Sequence, residues 1–314
     1  MARKRSWGRP VNGVLLLNKS AGMTSNETLQ KVKRLFFAEK AGHTGSLDPL
    51  ATGVLPLCFG EATKFSQFLL EADKRYRSTF QFGVTTTTGD ADGEITGEMT
   101  AVGLTRELVN EAVELFRGEI EQIPSMYSAL KFKGQPLYKL ARAGREVERE
   151  ARRVTVYDIK LLAFQPGPQA QADVEIHCSK GTYVRTIAED LGRELGCGAH
   201  VSALHRTAAG AFDESAAVTL QTLSEERGEQ RAEVLDHHLL PVDTLVAELP
   251  ALELPDASAF YFRQGQAVVD SRVHSLGDEG DSVRVCLESG GFLGIGDITD
   301  DGRVAPRRLV AKLV

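Results

Sequence analysis

The sequence predicts a mixed α+β fold in two domains. Short strands and amphipathic helices follow one another without an internal repeat of fixed period, and the last part of the chain contains short strands separated by turn residues. With 314 residues, of which 42% are hydrophobic, the chain is slightly long for a single core. We place the domain boundary near residue 246, which divides the chain into 1–245 and 246–314.

The chain begins with a predicted strand and helix. Residues 14–17 form a short apolar run that ends at a turn. Thr24 or Ser25 can cap the helix that follows, and its predicted inward face consists of Leu29, Val32, Leu35 and Phe36. Strand, turn and amphipathic helix together indicate a mixed fold.

Further along, two segments alternate apolar and polar residues, as half-buried strands do. In residues 76–84 the inward side chains are Tyr76, Ser78, Phe80, Phe82 and Val84, and in residues 172–178 they are Ala172, Val174, Ile176 and Cys178. A helix is predicted from Thr105 to about Gly118, with Leu108, Ala112, Leu115 and Phe116 inward. After Gly181 another helix carries the stripe Val184, Ile187, Leu191 and Leu195, and Arg185 lies beside it in the first turn.

The last third of the chain is polar and then rich in turns. Residues 224–231 are predicted to form a solvated helix. Turn signals at 289–291 and 300–302 separate short strands, which suggests a small β-barrel.

Charge is distributed unevenly along the chain. The formal net charge is -6, yet residues 1–212 carry a net +4 and residues 213–314 a net -10. Residues 131–153 hold eight basic side chains and three acidic ones. Because binding of a polyanion depends on the local field, the negative total does not exclude RNA. A solvated helix or loop face is the alternative interpretation of the basic segment.

The four cysteines lie far apart without a Cys-x-x-Cys pair, which predicts free buried thiols. The N-terminus is basic through Arg3, Lys4 and Arg5 but lacks the apolar core of a signal peptide. No apolar run approaches the length of a membrane span. We therefore predict a cytoplasmic protein.

One loop concentrates unusual residues around a single carboxylate. Residues 42–56 read GHTGSLDPLATGVLP, in which Asp48 is the only acidic residue. The glycines permit tight turns, and Pro49 favours an extended Asp48 whose side chain leaves the loop. Such a mounting suits a nucleophile or a base. The alternative is an Asx-turn, in which Asp48 hydrogen-bonds its own backbone.

This loop and four further motifs resemble the bacterial tRNA pseudouridine synthase B family in content and order. The motifs are GEATK at 60–64, KRY at 74–76, IPSMYSA at 123–129 and CSKGTYVR at 178–185. The resemblance covers about residues 12–204, and residues 262–313 are similar to the family's small C-terminal RNA-binding domain. Several long motifs in one order rarely match by chance.

The resemblance implies a fold and a reaction. The fold is the pseudouridine synthase fold, a mixed, mostly antiparallel central sheet flanked by helices and loops, with a small C-terminal β-barrel RNA-binding domain of the PUA type. The implied reaction is isomerisation of uridine to pseudouridine at position 55 in the T loop of tRNA, on a base flipped out of the RNA. The T arm of tRNA is the expected partner. No cofactor, metal, guide RNA or obligate protein partner is expected.

The resemblance also assigns roles to individual residues. Asp48 is the expected nucleophile, which attacks either C6 of the ring or C1′ of the ribose. Arg185 is expected to hold its carboxylate charged through a bidentate contact, and Tyr76 to stack on the uracil and transfer the proton at C5. Tyr183 and Leu204 are expected to line the base pocket, and His43 to stack into the RNA left open by flipping. The predicted phosphate contacts are Lys19, Lys64, Lys131 and Arg142.

Residues 123–153 lack a clean period and separate two regular regions, so we predict a mobile basic loop that closes over RNA. The acidic run 90–94 is interpreted as a turn after the Tyr76 strand, because it lacks the ligand pattern of a calcium loop. Two alternative functions stay open. One is a non-catalytic tRNA-binding or tRNA-folding protein, and the other is a synthase that acts on another RNA.

Overall fold

The structure is a computed structural model that describes residues 8–311, so the basic cluster at Arg3, Lys4 and Arg5 lies outside the described residues. Its strands are β1 Gly13–Lys19, β2 Ala41–His43, β3 Thr52–Phe59, β4 Lys74–Phe82, β5 Val84–Thr86, β6 Ile95–Glu98, β7 Gly118–Gln122, β8 Lys131–Phe132, β9 Gln135–Pro136, β10 Arg152–Gln165, β11 Gln171–Cys178, β12 Ala199–Ala209, β13 Phe212–Asp213, β14 Val218–Thr219, β15 Ala251–Leu254, β16 Val268–Val269, β17 Ser282–Leu287, β18 Phe292–Ile298 and β19 Arg303–Leu309.

The α-helices are α1 Ser25–Leu35, α2 Ser66–Glu71, α3 Arg106–Glu114, α4 Leu137–Arg142, α5 Val184–Glu194, α6 Leu220–Arg227 and α7 Asp256–Arg263. Short 3-10 segments occupy Gly60–Lys64, Glu214–Ala216, Ala232–His238, Val242–Val246 and Val273–Ser275. None of the helices within residues 8–311 combines the length and apolar character needed to cross a bilayer.

A large central sheet organises the first part of the chain. Its strand order is β14-β1-β3-β12-β4-β11-β10-β7, and β2 and β13 pair with β3 and β12. The β1–β14 and β3–β12 pairs are parallel and the others are antiparallel. The predicted mixed, mostly antiparallel sheet is therefore confirmed. This order brings β3, β12 and β4 side by side, although they are far apart in the sequence.

The alternating segments form strands, as predicted, and these strands lie side by side in the sheet. In β4, Phe80 and Phe82 are fully buried, and in β11 the inward residues Ala172, Val174 and Ile176 are fully buried. Tyr76 pairs with Ile176 on one side and with Arg206 of β12 on the other. Val84 lies beyond the end of β4 and begins the separate strand β5.

Helix α1 begins where the sequence indicated. The Thr24 hydroxyl accepts a hydrogen bond from the backbone of Glu27, and the Glu27 carboxylate accepts one from the backbone of Thr24, which forms a capping box. Leu29 and Val32 pack into the main core. Helix α5 buries Ile187 and Leu191 of its predicted stripe.

The predicted inward face of α3 is wrong in part. Leu108 and Leu115 are exposed, whereas Val109 and Val113 are fully buried beside Ala112. The helix ends at Glu114, and Gly118 starts strand β7 instead of stopping the helix. Apolar residues occur on both sides of this helix, and packing against the sheet determines which of them are buried.

Residues 123–151 leave the sheet between β7 and β10 and carry structure of their own. They contain the β8–β9 hairpin and helix α4, and Met126, Leu137 and Leu140 form a small separate core. The sequence indicated an irregular segment, and the local hairpin and helix are a correction to that view. Its predicted mobility remains a prediction.

Residues 251–309 form a second sheet in the order β15-β17-β18-β19-β16, with the predicted turns between β17, β18 and β19. This sheet has its own core, which includes Phe262, Val285 and Leu293. A further cluster joins it to the central sheet, where the rings of Phe65 and Phe292 lie 5.1 Å apart. Helix α6 ends at Arg227, earlier than predicted, because Gly228 leaves the helix with a φ of +39°.

Candidate active site

Asp48 lies in the loop between β2 and β3, and neighbouring elements fix this loop from outside. The Ser25 hydroxyl accepts a hydrogen bond from the Leu47 backbone at 2.7 Å and donates one to the Leu47 carbonyl at 3.0 Å. Gly45 adopts a φ of +89°, a left-handed conformation that favours glycine. The loop is thus held by the first turn of α1, and the Asp48 side chain is free to face the cleft.

The side chain of Lys19 also holds the loop that carries Asp48. Its ammonium donates to the carbonyls of Asp48 at 3.2 Å, Pro49 at 3.2 Å and Ala51 at 2.6 Å, and the residue is 1% exposed. Burial lowers the pKa of Lys19 to about 8, and the Asp48 charge opposes that effect. The predicted phosphate contact is wrong for Lys19, because the ammonium is enclosed and its donors are occupied by carbonyl oxygens.

The Asp48 carboxylate contacts Arg185, the partner that was predicted. Arg185 Nε lies 3.0 Å from Asp48 Oδ2, and the arginine side chain is 5% exposed whereas that of Asp48 is 37% exposed. The bidentate contact is wrong, because Arg185 Nη1 donates to the Thr88 carbonyl at 2.7 Å and Nη2 to the Tyr127 carbonyl at 3.0 Å. Arg185 therefore ties the Asp48 loop to two other segments at once.

Asp90 is a second carboxylate on Arg185, and sequence analysis missed it. Asp90 Oδ2 lies 3.6 Å from Arg185 Nη1, and the Asp90 side chain is 6% exposed. Its other oxygen accepts hydrogen bonds from the Thr88 hydroxyl and the Asp92 backbone. The interpretation of 90–94 as a turn holds for the backbone, but no local signal indicates that α5 brings an arginine to this turn.

The pKa of Asp48 is raised above its ordinary value, because burial outweighs the charges that favour the ionised form. Burial raises the pKa of Asp48, and Asp90 raises it further, whereas Arg185 and Lys19 lower it. Arg185 is the strongest of the groups that favour the ionised form. The site therefore presents a carboxylate that is poorly solvated and is held by one nitrogen of a guanidinium.

A cavity of about 380 Å³ opens above this pair. It is lined by Asp48 and Arg185 together with four of the other residues singled out in the sequence, namely His43, Tyr76, Tyr183 and Leu204. The fold thus brings six predicted site residues to one place. The volume suits a group of the size of a nucleobase and part of its sugar.

Tyr76 and Tyr183 both line this cavity. Burial raises the pKa of the Tyr76 phenol, and the Arg206 charge opposes that rise. Burial also raises the pKa of Tyr183. The backbone of Tyr183 is clamped by the Gln122 amide, which accepts from Tyr183 N at 2.9 Å and donates to its carbonyl at 3.1 Å. Gln122 was not predicted, and it fixes the entry into α5 two residues before Arg185.

His43 borders this cavity and a second one that lies on the other side of the Asp48 loop. Its Nδ1 atom is buried and has no hydrogen-bond partner among residues 8–311. Burial, with a further contribution from the Arg206 charge, lowers the pKa of His43, so the neutral ring predominates at neutral pH. A neutral ring that borders both cavities is suited to stacking.

The second cavity, of about 850 Å³, runs from the start of α1 to the segment 123–151. Arg142 lines it and is exposed, with its guanidinium 5.7 Å from the Tyr138 ring centre. Lys131 is also exposed, in strand β8. Lys64 lines neither cavity and instead binds Glu61 at 2.8 Å and the Leu309 carbonyl at 2.9 Å, so its predicted phosphate contact competes with these two bonds.

Arg206 lines the first cavity and was also missed by sequence analysis. It is 1% exposed and donates to the Val54 carbonyl at 2.7 Å and the Gly45 carbonyl at 3.2 Å. Arg206 follows Leu204 at the two-residue spacing of a strand, so both side chains share a face. That spacing is the signal that could have identified it.

Metal-ligand geometry occurs in a single cluster within residues 8–311. It consists of Glu226, His237 and His238, and none of the three lines either cavity. His238 Nε2 and a Glu226 carboxylate oxygen lie 2.7 Å apart, so the two side chains are hydrogen-bonded to each other. The expectation of a reaction without metal or cofactor stays a prediction.

Three family models match successive parts of the chain. The model of the TruB family pseudouridylate synthase N-terminal domain matches residues 33–184, that of the tRNA pseudouridylate synthase B C-terminal domain matches 185–247, and that of the pseudouridine synthase II TruB C-terminal region matches 250–310. Together they cover most of the sequence.

Relatives that match over their full length are named tRNA pseudouridine synthase B. The tRNA pseudouridine synthase B of Saccharophagus degradans is 60% identical over 312 residues, which are 99% of this chain and 100% of that protein. The tRNA pseudouridine synthase B of Pseudomonas aeruginosa is 54% identical and covers 99% of each chain. A solved Cbf5-Nop10-Gar1 complex contains a chain with a TM-score of 0.71 at 24% identity, which covers 99% of this chain and 91% of that one. The likeness to that structure confirms the predicted fold.

Proposed function

The chain belongs to the TruB family of pseudouridylate synthases, and from this premise we propose that it isomerises uridine 55 in the T loop of tRNA. The observation that carries the proposal is the pair of Asp48 and Arg185 beneath a cavity walled by Tyr76, Tyr183 and Leu204. The names of the relatives support tRNA as the substrate. A tRNA substrate also agrees with the cytoplasmic location predicted from the sequence.

The reaction breaks the bond from N1 of uracil to the ribose and forms a bond from C5 to the same carbon. Asp48 in its carboxylate form supplies the electron pair, either to C6 of the ring or to C1′ of the ribose. Arg185 holds that carboxylate in place through Nε and favours its charged form in a poorly solvated site. Both routes use the same two side chains, so the geometry is compatible with each.

The base must leave the RNA stack to reach Asp48. In the proposed complex Tyr76 stacks on the uracil, Tyr183 and Leu204 supply the remaining apolar wall, and neutral His43 occupies the space in the RNA that the flipped base leaves. The proton on C5 is then removed by the phenolate of Tyr76. The electron pair of the C–H bond forms the double bond from C5 to C6, N1 takes a proton from solvent, and the phenol forms. Asp48 is released as a carboxylate, from C6 in this step on the first route, or from C1′ when C5 bonds to that carbon on the second.

Residues 123–153 are proposed to close over the T arm. Tyr127 already joins this segment to the site, because its carbonyl accepts from Arg185. Exposed Lys131 and Arg142 face solvent from the same segment and are the proposed phosphate contacts. No guide RNA or further protein is required for this mode of binding.

The proposal is tested with the purified full-length chain and a tRNA transcript that carries tritium at C5 of uridine. We expect tritium release and pseudouridine at position 55 with the parent, and neither with Asp48→Asn, which keeps the shape and loses the nucleophile. Binding of tRNA by Asp48→Asn should stay within about threefold of the parent. Asp158→Asn is the matched control and should react like the parent. It changes a half-exposed carboxylate on β10 that pairs with Lys160 at 2.7 Å and with Arg117, and that lines neither cavity.

The outcomes separate the alternatives. Pseudouridine formation by Asp48→Asn at a rate near that of the parent would remove Asp48 from the mechanism. A parent chain that binds tRNA without converting it would support the non-catalytic alternative. Conversion of another RNA in place of the T loop would support a synthase of different specificity.

A further inference from the structure

Arg206 is a buried arginine without an acidic partner. It is among the largest fully buried side chains, and no carboxylate oxygen in the described part of the chain lies within 4.0 Å of its guanidinium. Removing a charge from water costs several kcal/mol, and carbonyl hydrogen bonds offset only a part of that cost. An ion pair therefore does not explain why the Arg206 charge is buried, and its other contacts must be considered.

The first contact of Arg206 is with the loop that carries Asp48. Its Nε donates to the carbonyl of Val54 and its Nη2 to the carbonyl of Gly45, so the guanidinium bridges two points on either side of Asp48. A Cβ at Gly45 would approach Nη1 to 3.6 Å, and one at Gly53 would come within 2.2 Å of the Arg206 carbonyl oxygen. The close approach at Gly53 requires glycine, and the bridge fixes the loop against β12.

The second contact of Arg206 is with Tyr76. The two residues are direct partners in the antiparallel ladder between β12 and β4, so their side chains leave the sheet on the same face as neighbours. Both line the cavity above Asp48. Burial raises the pKa of Tyr76, and Arg206 is the strongest of the groups that lower it.

The other groups that face Tyr76 act in the opposite direction. Cys178 from β11 and Asp48 from its loop both raise the pKa of Tyr76, and Arg206 is the cation that opposes them. The Arg206 charge also lowers the pKa values of Lys19, Lys74 and His43 around the cavity. The Arg206 charge thus acts on several titratable groups at or near the proposed base pocket.

We propose that Arg206 is a positioning residue that fixes the Asp48 loop and places its positive charge beside the side chain of Tyr76. In this role it does not touch the base. It acts through Tyr76, whose phenolate oxygen takes the proton from C5 while the electron pair of the C–H bond returns to the ring. The inference rests on the proposed function and adds a group that supports its proton-transfer step.

The test uses the full chain in single-turnover reactions with tRNA that carries either hydrogen or deuterium at C5 of uridine. We expect Arg206→Met to react about 100-fold more slowly, with a larger deuterium isotope effect, because removal of the C5 proton becomes slower than the other steps. The rate should also continue to rise with pH to more alkaline values than in the parent, since the pKa of Tyr76 increases. Arg206→Lys keeps the charge and should recover most of the parent's pH profile.

Arg77→Met is the matched control, because it removes an exposed guanidinium from the residue that follows Tyr76 in β4. It should match the parent in rate, isotope effect and pH profile. A purely structural Arg206 predicts a lower melting temperature and a lower rate with an unchanged isotope effect and pH profile, and that result overturns the proposal. An Arg206→Met chain that reacts at the parent rate does the same.

If Arg206→Met does not fold, Arg206→Gln decides the question, because an amide can still donate a hydrogen bond to a loop carbonyl but carries no charge. A folded Arg206→Gln with the isotope effect and pH profile of the parent overturns the role toward Tyr76, and a larger isotope effect supports it. A parent chain that converts no uridine overturns the proposed function and this inference with it. The parent reaction alone therefore distinguishes failure of the proposed function from failure of the role assigned to Arg206.

Discussion

Replacing Arg185 with lysine removes the guanidinium that joins the Asp48 loop, the Asp90 turn and the segment 123–151. Arg185 reaches four acceptors with three nitrogens, namely Asp48 Oδ2 at 3.0 Å, Asp90 Oδ2 at 3.6 Å and the carbonyls of Thr88 at 2.7 Å and Tyr127 at 3.0 Å. A lysine ammonium is a single point at the end of its stem and lacks the planar fork that spans such a set. The role expected of Arg185 from the sequence predicts a loss of turnover on this substitution, and the structure adds a loss of stability.

The size of both effects follows from this geometry. If the ammonium serves two of the four acceptors, the other two stay buried without a partner, at about 1–3 kcal/mol each. We therefore expect the free energy of unfolding to fall by roughly 2–6 kcal/mol. Loss of the Nε contact also frees the Asp48 carboxylate to rotate, and we expect the single-turnover rate to fall at least about 100-fold, which corresponds to about 2.7 kcal/mol in the barrier.

Urea denaturation measures the first effect, and tritium release from tRNA labelled at C5 of uridine measures the second. Arg193→Lys is the matched control, because Arg193 lies on the same helix α5, its side chain is 76% exposed and its partner is Asp190 one turn away. It should change stability by less than about 0.5 kcal/mol. The reasoning fails if Arg185→Lys is as stable as Arg193→Lys and reacts within about threefold of the parent.

The remaining predictions concern the base, the pH dependence and the RNA contacts. Tyr76→Phe should bind tRNA like the parent and lose at least about 100-fold in single-turnover rate, because the ring remains and the phenol oxygen does not; an unchanged rate would exclude that oxygen from proton transfer. Burial raises the pKa of Asp48 above 3.8, and the carboxylate is the reactive form, so the rate should fall as pH decreases through that raised value. Weakening the Arg185 contact should move this acidic limb to higher pH, which rate measurements between about pH 5 and 8 would show. A limb that does not move would separate Arg185 from the charge state of Asp48. Changing the exposed Lys131, Lys133 and Arg142 together to glutamine should reduce the slope of log affinity against log salt by about 2, with the rate at saturating tRNA preserved; an unchanged slope would place the phosphate contacts elsewhere.

Much of the fold could be predicted from the sequence, because local patterns report on local structure. The alternation in β4 and β11 predicted their buried faces, and the cap at Thr24 predicted the start of α1. The loop around Asp48 was identified from its glycines, its single carboxylate and Pro49. In α3 the same kind of pattern gave a partly wrong face, because apolar residues lie on both sides and only the contact with the sheet selects Val109 and Val113.

The motifs predicted which residues form the site, but the tertiary structure decided which of these residues contact one another. Basic side chains illustrate the difference: Lys19 binds carbonyls inside the protein, and Arg185 divides its nitrogens between two carboxylates and two carbonyls. Asp90 has no local signature that places it at the site, and the spacing of Arg206 from Leu204 indicates only that the two side chains share a face of a strand. Their position is set by the sheet, which places β12 between β3 and β4, and by the packing of α5 beside β12. Strands that are distant in the sequence can pair without any signal in the residues around either partner.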